Sequence, residues 1–297
     1  MAKDVGVTEL KRYRLVSFCF DSLPSLLAES ASDGWVEETR RLHEENRRHA
    51  AEYVLHEYGD HHSEFKLKNL VDLGNKPFMI PGYHHVLLEQ VRRAFVCFGY
   101  YPALTGACAL GERVLNHLVL QLRDDFRGQP EYKRVYRKNS FADWSAPIEA
   151  LASWRVLLPE VAQLFRELRD IRNKVVHFSS GLEHDTRTPA LGAIHLVTDI
   201  VGRQFSACGP QPWFIPVTAG EVYIKKEAES WPFVREFYLP MCSRVGPHHC
   251  VTEITPESGF VIADDFDYGN RDVTDDDYMD MRAQAMRSGL LTGPSRA

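Results

Sequence analysis

The chain has 297 residues, of which 44% are hydrophobic and 26% are charged, as in ordinary globular proteins. At about 150 residues per domain, this length predicts one or two domains with a sizeable core. The 35 Lys and Arg side chains against 41 Asp and Glu give a formal charge of −6. Such a balance excludes a protein that coats nucleic acid in bulk, so any contact with RNA or DNA must come from a local basic patch.

The sequence contains no run of about 18 apolar residues, so it predicts no membrane-spanning helix and no membrane partner. Its first residues lack the apolar core of a secretion signal, and the six cysteines include no Cys-x-x-Cys pair. Scattered cysteines are typical of reduced thiols, so we expect a cytoplasmic protein without a disulfide framework.

Three regions of the chain differ in composition and in hydrophobic periodicity. Residues 1–78 are charged and His-rich, with one predicted helix near 34–58, and residues 79–205 carry strong helical periodicity. Residues 206–297 combine Pro, aromatic and β-branched residues with an acidic tail from residue 264 onward, which we expect to be loosely held. The predicted fold is therefore mainly α: an N-terminal helical region, a helical bundle, and a C-terminal extension that is mixed and partly β.

The middle region contains the clearest helices. In the first of them, apolar residues recur at helical spacing: Leu87, Leu88, Val91, Phe95 and Phe98. Gly99 is a good residue for the left-handed position after a helix, and Pro102 is a good residue for the start of the next. Further helices are predicted over about 104–124, 142–157, 159–175 and 195–205. Amphipathic helices with short connections predict an up-and-down bundle.

The fourth of these helices ends in the sequence Arg172-Asn173-Lys174-Val175-Val176-His177. On a helical wheel Arg172 falls inside the apolar stripe, where a guanidinium requires a polar partner. Glu112 on the facing helix is one such structural partner. Arg172 and His177 lie far apart around a straight helix, so they converge only if the helix bends or ends there, or if two copies meet across a two-fold axis.

The segment Arg172-Asn173-x3-His177 resembles the Arg-polar-x3-His form of the motif that defines the HEPN superfamily (higher eukaryotes and prokaryotes nucleotide-binding). The stretch QVRRAFVCFGYYPALTGACALGERVLNHL, which carries Glu112, is similar to the opening helical pair of that superfamily. FADWSAPIEALASW and LRDIRNKVVHF are similar to its later helices, and the resemblance covers about residues 84–205. It implies a metal-independent endoribonuclease that acts as a homodimer, needs no cofactor, and serves as a toxin or in phage defence. An antitoxin or a regulatory protein is then a further expected partner.

The residue types fit such a reaction. RNA supplies its own nucleophile, the 2′-hydroxyl, so cleavage needs proton transfer and charge stabilisation at the phosphate. His177 is the natural acid and base because the pKa of imidazole lies near neutrality. Arg172 presents a fork suited to phosphate oxygens, and Asn173 can bond the phosphate or fix the His tautomer. The expected products are a 2′,3′-cyclic phosphate and a 5′-hydroxyl, and DNA is not cut.

The connector before the third predicted helix interleaves cations with aromatic rings. Because phosphates pair with cations and bases stack on rings, the connector is the predicted RNA contact. The residues assigned to this contact are Lys133, Arg134, Tyr136, Arg137 and Lys138. A solvated connector without a ligand is the alternative interpretation.

Other functions stay open at this point. A bundle of the same fold could bind RNA, nucleotide or a protein partner without catalysis, with Arg172 and His177 in structural roles. Two groups of residues have metal-ligand chemistry but match no known spacing, so no metal site is predicted: His56, Asp60, His61 and His62, and Cys242, His248, His249 and Cys250. The acidic segment from Asp264 to Asp280 is either a solvated tail or a segment whose negative charge competes with RNA for a basic cleft.

Overall fold

The computed structural model describes residues 10–176, 184–216, 220–255, 259–264, 266–269 and 271–288. In these ranges the chain is mainly helical, and its strands form two-stranded antiparallel sheets. The chain divides into two compact units: a helical unit of residues 19–205 and a mixed unit of residues 1–18 and 206–297. None of the described helices is long and apolar enough to cross a membrane.

The described part of the helical unit is built from helices of very different lengths, from the four residues of Tyr132–Val135 to the 23 residues of Tyr100–Leu122. These helices are α1 (Leu23–Ala28), α2 (Glu37–Tyr58), α3 (Ser63–Leu73), α4 (Tyr83–Val96), α5 (Tyr100–Leu122), α6 (Tyr132–Val135), α7 (Ser145–Ser153), α8 (Pro159–Val176) and α9 (Arg187–Gln204). A 3₁₀ turn, Arg123–Phe126, follows α5, and two short strands, β2 (Cys19–Asp21) and β3 (Lys76–Met79), pair with each other.

Helix α5 forms the centre of the helical unit. It packs against α4, α7, α8 and α9, and eleven of its residues are buried. Positions such as Leu104, Leu110 and Leu118 recur on this helix at the spacing that keeps them inside the bundle. α9 begins at Arg187, eight residues before the predicted start, because Asp185 accepts the N–H of Thr188 and thereby caps the new first turn.

Residues 19–78 belong to the same compact unit as residues 79–205. α3 packs against α4 and α9, and Asn69 of α3 donates to the carbonyl oxygen of Phe95 at 3.2 Å. The sequence pattern does not predict α3, because Lys66 and Asn69 interrupt its buried face. Both side chains are satisfied there: Lys66 Nζ donates to the carbonyl oxygens of Tyr58 and Gly59 at the end of α2.

The turn between α4 and α5 differs from the prediction. The left-handed residue is Phe98, with φ 65°, and Gly99 follows it as the residue that precedes α5. The N–H groups of Phe98 and Gly99 donate to the carbonyl oxygens of Phe95 and Ala94, which closes α4 with a Schellman motif. A Cβ atom at Gly99 would lie 3.0 Å from the oxygen of Ala94. The glycine is thus needed for close approach of the backbone, and Phe98 takes the left-handed position.

The mixed unit contains paired strands and one helix. β1 (Arg12–Leu15) pairs with β4 (Cys242–Val245), and β5 (Cys250–Thr255) pairs with β6 (Gly259–Ala263). These strands agree with the prediction of a partly β C-terminal extension. Isolated bridges join Phe214 to Ile224 and Arg14 to Tyr223 in the described part of this unit.

The prediction of a loosely held acidic tail is wrong for residues 275–287, which form helix α10 (Asp275–Arg287). Thr274 and Asp277 cap its start reciprocally. Three acidic residues in the first turn interact favourably with the helix dipole and stabilise the helix. Tyr278 and Arg282, one turn apart, are buried and anchor the helix in the mixed unit. Asp275 accepts a hydrogen bond from Arg12 Nε at 2.6 Å, so Arg12 of the same unit neutralises part of the acidic charge.

Gly111 permits the close approach of α5 and α8. A Cβ atom at this position would lie 2.5 Å from Leu168 Cδ2 and 3.1 Å from the Trp144 ring, both of which are buried. We expect Gly111→Ala to lower the free energy of unfolding by roughly 1–3 kcal/mol, because the extra methyl group overpacks this contact. Denaturant unfolding measures the change.

Gly192 in α9 supplies the matched control, since a Cβ atom there meets nothing within 4 Å. Gly192→Ala is expected to raise the free energy of unfolding by up to about 1 kcal/mol through helix propensity. A stabilising effect of both substitutions would contradict the close α5–α8 contact.

Candidate functional site

The last turns of α8 place Arg172 and Asn173 on the surface of the helical unit. Asn173 is exposed, and its Oδ1 accepts from Arg172 Nη1 at 3.3 Å. His177, the third predicted catalytic residue, lies outside the described residues. The structure therefore brings Arg172 and Asn173 together and leaves the place of His177 as a prediction from the sequence.

Glu112 on α5 faces Arg172, as its assignment as a structural partner expects. The distance between Glu112 Oε2 and Arg172 Nη2 is 3.7 Å, and the two side chains are 33% and 23% exposed. The same carboxylate oxygen also accepts from the indole Nε1 of Trp144 at 3.4 Å. Trp144 is buried and contacts the ring of Phe165 edge to face. The carboxylate of Glu112 on α5 and the guanidinium of Arg172 on α8 thus form a partly exposed ion pair beside the buried indole of Trp144.

A cysteine lies in the electrostatic reach of Arg172. Cys108 is one turn before Glu112 on α5, and burial raises the pKa of its thiol to about 11, although the charge of Arg172 opposes the shift. Since the thiolate is the reactive form, Cys108 is inert at neutral pH. The candidate site therefore relies on the guanidinium and on the residues that follow it.

Arg169 is a second guanidinium on this part of α8. Its Nη1 donates to Ser145 Oγ on α7 at 3.2 Å, and its Nη2 pairs with Asp170 at 3.1 Å. Arg169 lies three residues before Arg172, so the two side chains share a face of the helix. The sequence contains this signal, but only the packing of α7 against α8 shows where Arg169 points.

The predicted RNA contact forms α6 and the turn after it. Lys133, Arg134, Arg137 and Lys138 are exposed and Tyr136 is half-buried. Arg134 is engaged by Glu149 at 2.6 Å, and Arg137 lies over the Tyr136 ring at 5.0 Å. α6 packs against α7, which packs against α8, so the connector and the motif belong to neighbouring helices of one unit.

The two groups of histidine and cysteine residues form no metal site in the described part of the chain. Among the residues that the structure describes, no three His, Cys, Asp or Glu side chains come together as metal ligands. His249 is buried, and its Nδ1 lies 2.7 Å from the carbonyl oxygen of Gly246. Burial, together with the charge of Arg282, lowers the pKa of His249 to about 4, so its ring is neutral at pH 7.

Comparisons with known proteins add no family to this geometry. No protein-family model, no curated protein and no solved structure matches the chain. The mainly helical character is confirmed by the structure, and the similarity to the HEPN superfamily stays a prediction from the sequence.

Proposed function

We propose that this chain is a metal-independent endoribonuclease whose catalytic residues are Arg172, Asn173 and His177. The observation that carries the proposal is the weak pairing of Arg172: its side chain is 23% exposed, and its Nη2 lies 3.7 Å from the carboxylate of Glu112. Arg282 shows what a structural arginine of this chain looks like. Its side chain is 4% exposed and makes two hydrogen bonds to Glu221, at 2.6 and 2.9 Å. Arg172 keeps donors for an anionic ligand such as a phosphodiester.

The reaction needs no group beyond RNA and these side chains. A base removes the proton of the 2′-hydroxyl, and the 2′-oxygen forms a bond to phosphorus. The bond from phosphorus to the 5′-oxygen breaks as that oxygen receives a proton. His177 transfers the protons, because imidazole takes up and releases them near pH 7. Arg172 donates to the non-bridging oxygens, where negative charge develops.

A homodimer is part of the proposal. A general base must be deprotonated at the start of a turnover, and a general acid must be protonated. Two imidazoles can meet both requirements at once. If two copies of the end of α8 meet across a two-fold axis, each motif supplies one imidazole to the same cleft. One imidazole then acts as base and the other as acid, and the two guanidinium groups flank the phosphate.

Purified protein incubated with end-labelled single-stranded RNA in EDTA tests the proposal. We expect cleavage of the RNA without added metal, products with a 2′,3′-cyclic phosphate and a 5′-hydroxyl, and no cleavage of DNA of the same sequence, which lacks the nucleophile. Cleavage that requires Mg²⁺, or equal cleavage of DNA, would contradict it. Binding of RNA without cleavage would instead indicate a non-catalytic helical module.

A further inference from the structure

A row of aromatic side chains crosses the surface of the helical unit at the α2–α3 and α4–α5 turns. It runs from Phe65 over His62 and Phe98 to Tyr100, with successive ring centroids 6.3, 5.8 and 6.4 Å apart. Phe65 is 61% exposed and Phe98 is 36% exposed. We call these four residues the aromatic row: His62, Phe65 and Phe98 are exposed, Tyr100 is half-buried, and successive rings contact each other edge to face.

Two members of the aromatic row have a backbone that glycine would adopt more easily. His62 has φ 57° and Phe98 has φ 65°, both in the left-handed region. For a bulky residue such as phenylalanine this is a true outlier, and glycine would close the same turn without strain. Backbone strain of this kind clusters at functional sites, where the side chain is required although its backbone conformation is unfavourable.

The aromatic row lies at the end of the unit that carries Arg172. α8 and α9 have 18 residues each and pack against each other. At the last residue of α9, Gln204 bonds with Leu158 N–H and with the carbonyl oxygen of Val156, just before α8 begins. The two helices therefore run antiparallel, so Arg187, the first residue of α9, and the last turn of α8 belong to the same end of the unit.

Arg187 links the aromatic row to that end. Its guanidinium lies 5.9 Å over the ring of Tyr100 and 5.4 Å over the ring of Phe95. Asp72 and Asn69 accept hydrogen bonds from it and fix its orientation. The row thus ends beside a cation that a rigid network holds in place.

We propose that the aromatic row binds unpaired bases of single-stranded RNA and holds the strand at the end of the helical unit that carries Arg172. The choice of RNA rests on the proposed ribonuclease function. Exposed rings stack on bases of any identity, so a surface that carries several of them suits an unpaired strand. The row supplies such rings from Phe65, His62 and Phe98, and Arg187 at its edge is paired with Asp72 and lies over the rings of Tyr100 and Phe95.

Binding of a single-stranded 2′-O-methyl RNA that contains 2-aminopurine tests the proposal, because this RNA cannot be cut and its fluorescence falls when a ring stacks on the base. We expect quenching by the wild-type protein and binding at least about fivefold weaker in Phe65→Ala and Phe98→Gly. Phe65→Tyr retains the ring and is expected to bind as the wild type does, whereas Phe65→Leu is expected to bind like Phe65→Ala. Tyr53→Ala, at a residue of α2 that is 58% exposed, is the control and should change nothing.

Unchanged affinity in both Phe65→Ala and Phe98→Gly would overturn the proposal. It would also be overturned if these variants altered the sedimentation of the protein and left its affinity for the RNA intact, since the row would then be a protein contact. The two proposals fail separately. A protein that quenches this probe but does not cut ordinary RNA refutes the ribonuclease, and one that cuts RNA without quenching the probe refutes the row.

Discussion

Alanine at Arg172 or at His177 is expected to slow RNA cleavage by about 10²–10⁴-fold at unchanged pH. The loss at His177 follows from the removal of the group that transfers protons. The loss at Arg172 follows from the removal of a fixed charge at the point where the transition state becomes more negative. Single-turnover cleavage of a labelled RNA measures both rates.

The stability of the Arg172 variant separates a catalytic role from a structural one. The Arg172–Glu112 pair is partly exposed, so its loss is expected to lower the free energy of unfolding by no more than about 1 kcal/mol. Arg172→Lys keeps the charge but loses the planar fork, and we expect an intermediate rate. If the pair only holds α5 against α8, Glu112→Gln and Arg172→Ala will have the same effects on rate and stability, which would contradict the catalytic assignment.

Two substitutions serve as controls for these rates. Arg166→Ala removes a cation of α8 that lies on another face of the helix, where its Nη1 contacts Gln163 at 3.5 Å. His49→Ala removes an exposed histidine of α2. Both variants are expected to cleave RNA within a factor of two or so of the wild-type rate.

Glu221→Leu is expected to lower the free energy of unfolding of the mixed unit by about 3–5 kcal/mol. Glu221 is buried and accepts two hydrogen bonds from Arg282 and one from the hydroxyl group of Tyr223, at 2.6 Å. Arg14, also buried, lies 3.6 Å away. Two guanidinium groups therefore share one carboxylate, and leucine would leave both charges without compensation in the interior.

Hydrogen exchange of amide groups in the mixed unit, together with urea unfolding, measures this effect. Glu227→Gln is the control, because Glu227 is exposed and its neutralisation is expected to change stability by less than about 0.5 kcal/mol. An equally small change in Glu221→Leu would show that the buried network does not hold the unit together.

The pH dependence of stability follows from the same network. Burial alone would raise the pKa of Glu221, but hydrogen bonds from Arg282 and Tyr223 and the charge of both arginines outweigh it and hold the pKa below its ordinary value. The ionised carboxylate thus stabilises the folded state fully above the unfolded pKa, about 4.3, and the stabilisation is lost as the pH falls through the lower folded pKa.

The long helices could be predicted from the sequence because their buried faces are apolar and regular. α5 and α8 follow this rule, and so the stripe of α8 also predicts that Arg172 meets a polar partner. α3 and α10 break this rule because each buries a cation. Lys66 donates to backbone carbonyl oxygens at the end of α2, and Arg282 donates to the carbonyl oxygen of His249, 33 residues before it. A pattern of apolar residues contains no information on such partners.

The candidate site divides in the same way. Glu112 could be assigned to Arg172 because both lie on predicted helices of one bundle. The indole of Trp144, which shares the carboxylate of Glu112, is placed there by the packing of α7, and the helical pattern over 142–157 does not show which groups that indole meets. The local rule for helix ends predicts the left-handed position at Gly99, whereas Phe98 occupies it. The close approach of the backbone to Ala94 explains the glycine at position 99.

The most direct test of the central claim uses an RNA with one 2′-deoxy nucleotide at a mapped cleavage site. If the 2′-hydroxyl is the nucleophile, the wild-type protein in EDTA will leave that bond intact and will still cut the unmodified sites of the same molecule. Continued cleavage at the deoxy nucleotide would contradict attack by the 2′-hydroxyl and, with it, the roles of Arg172 and His177.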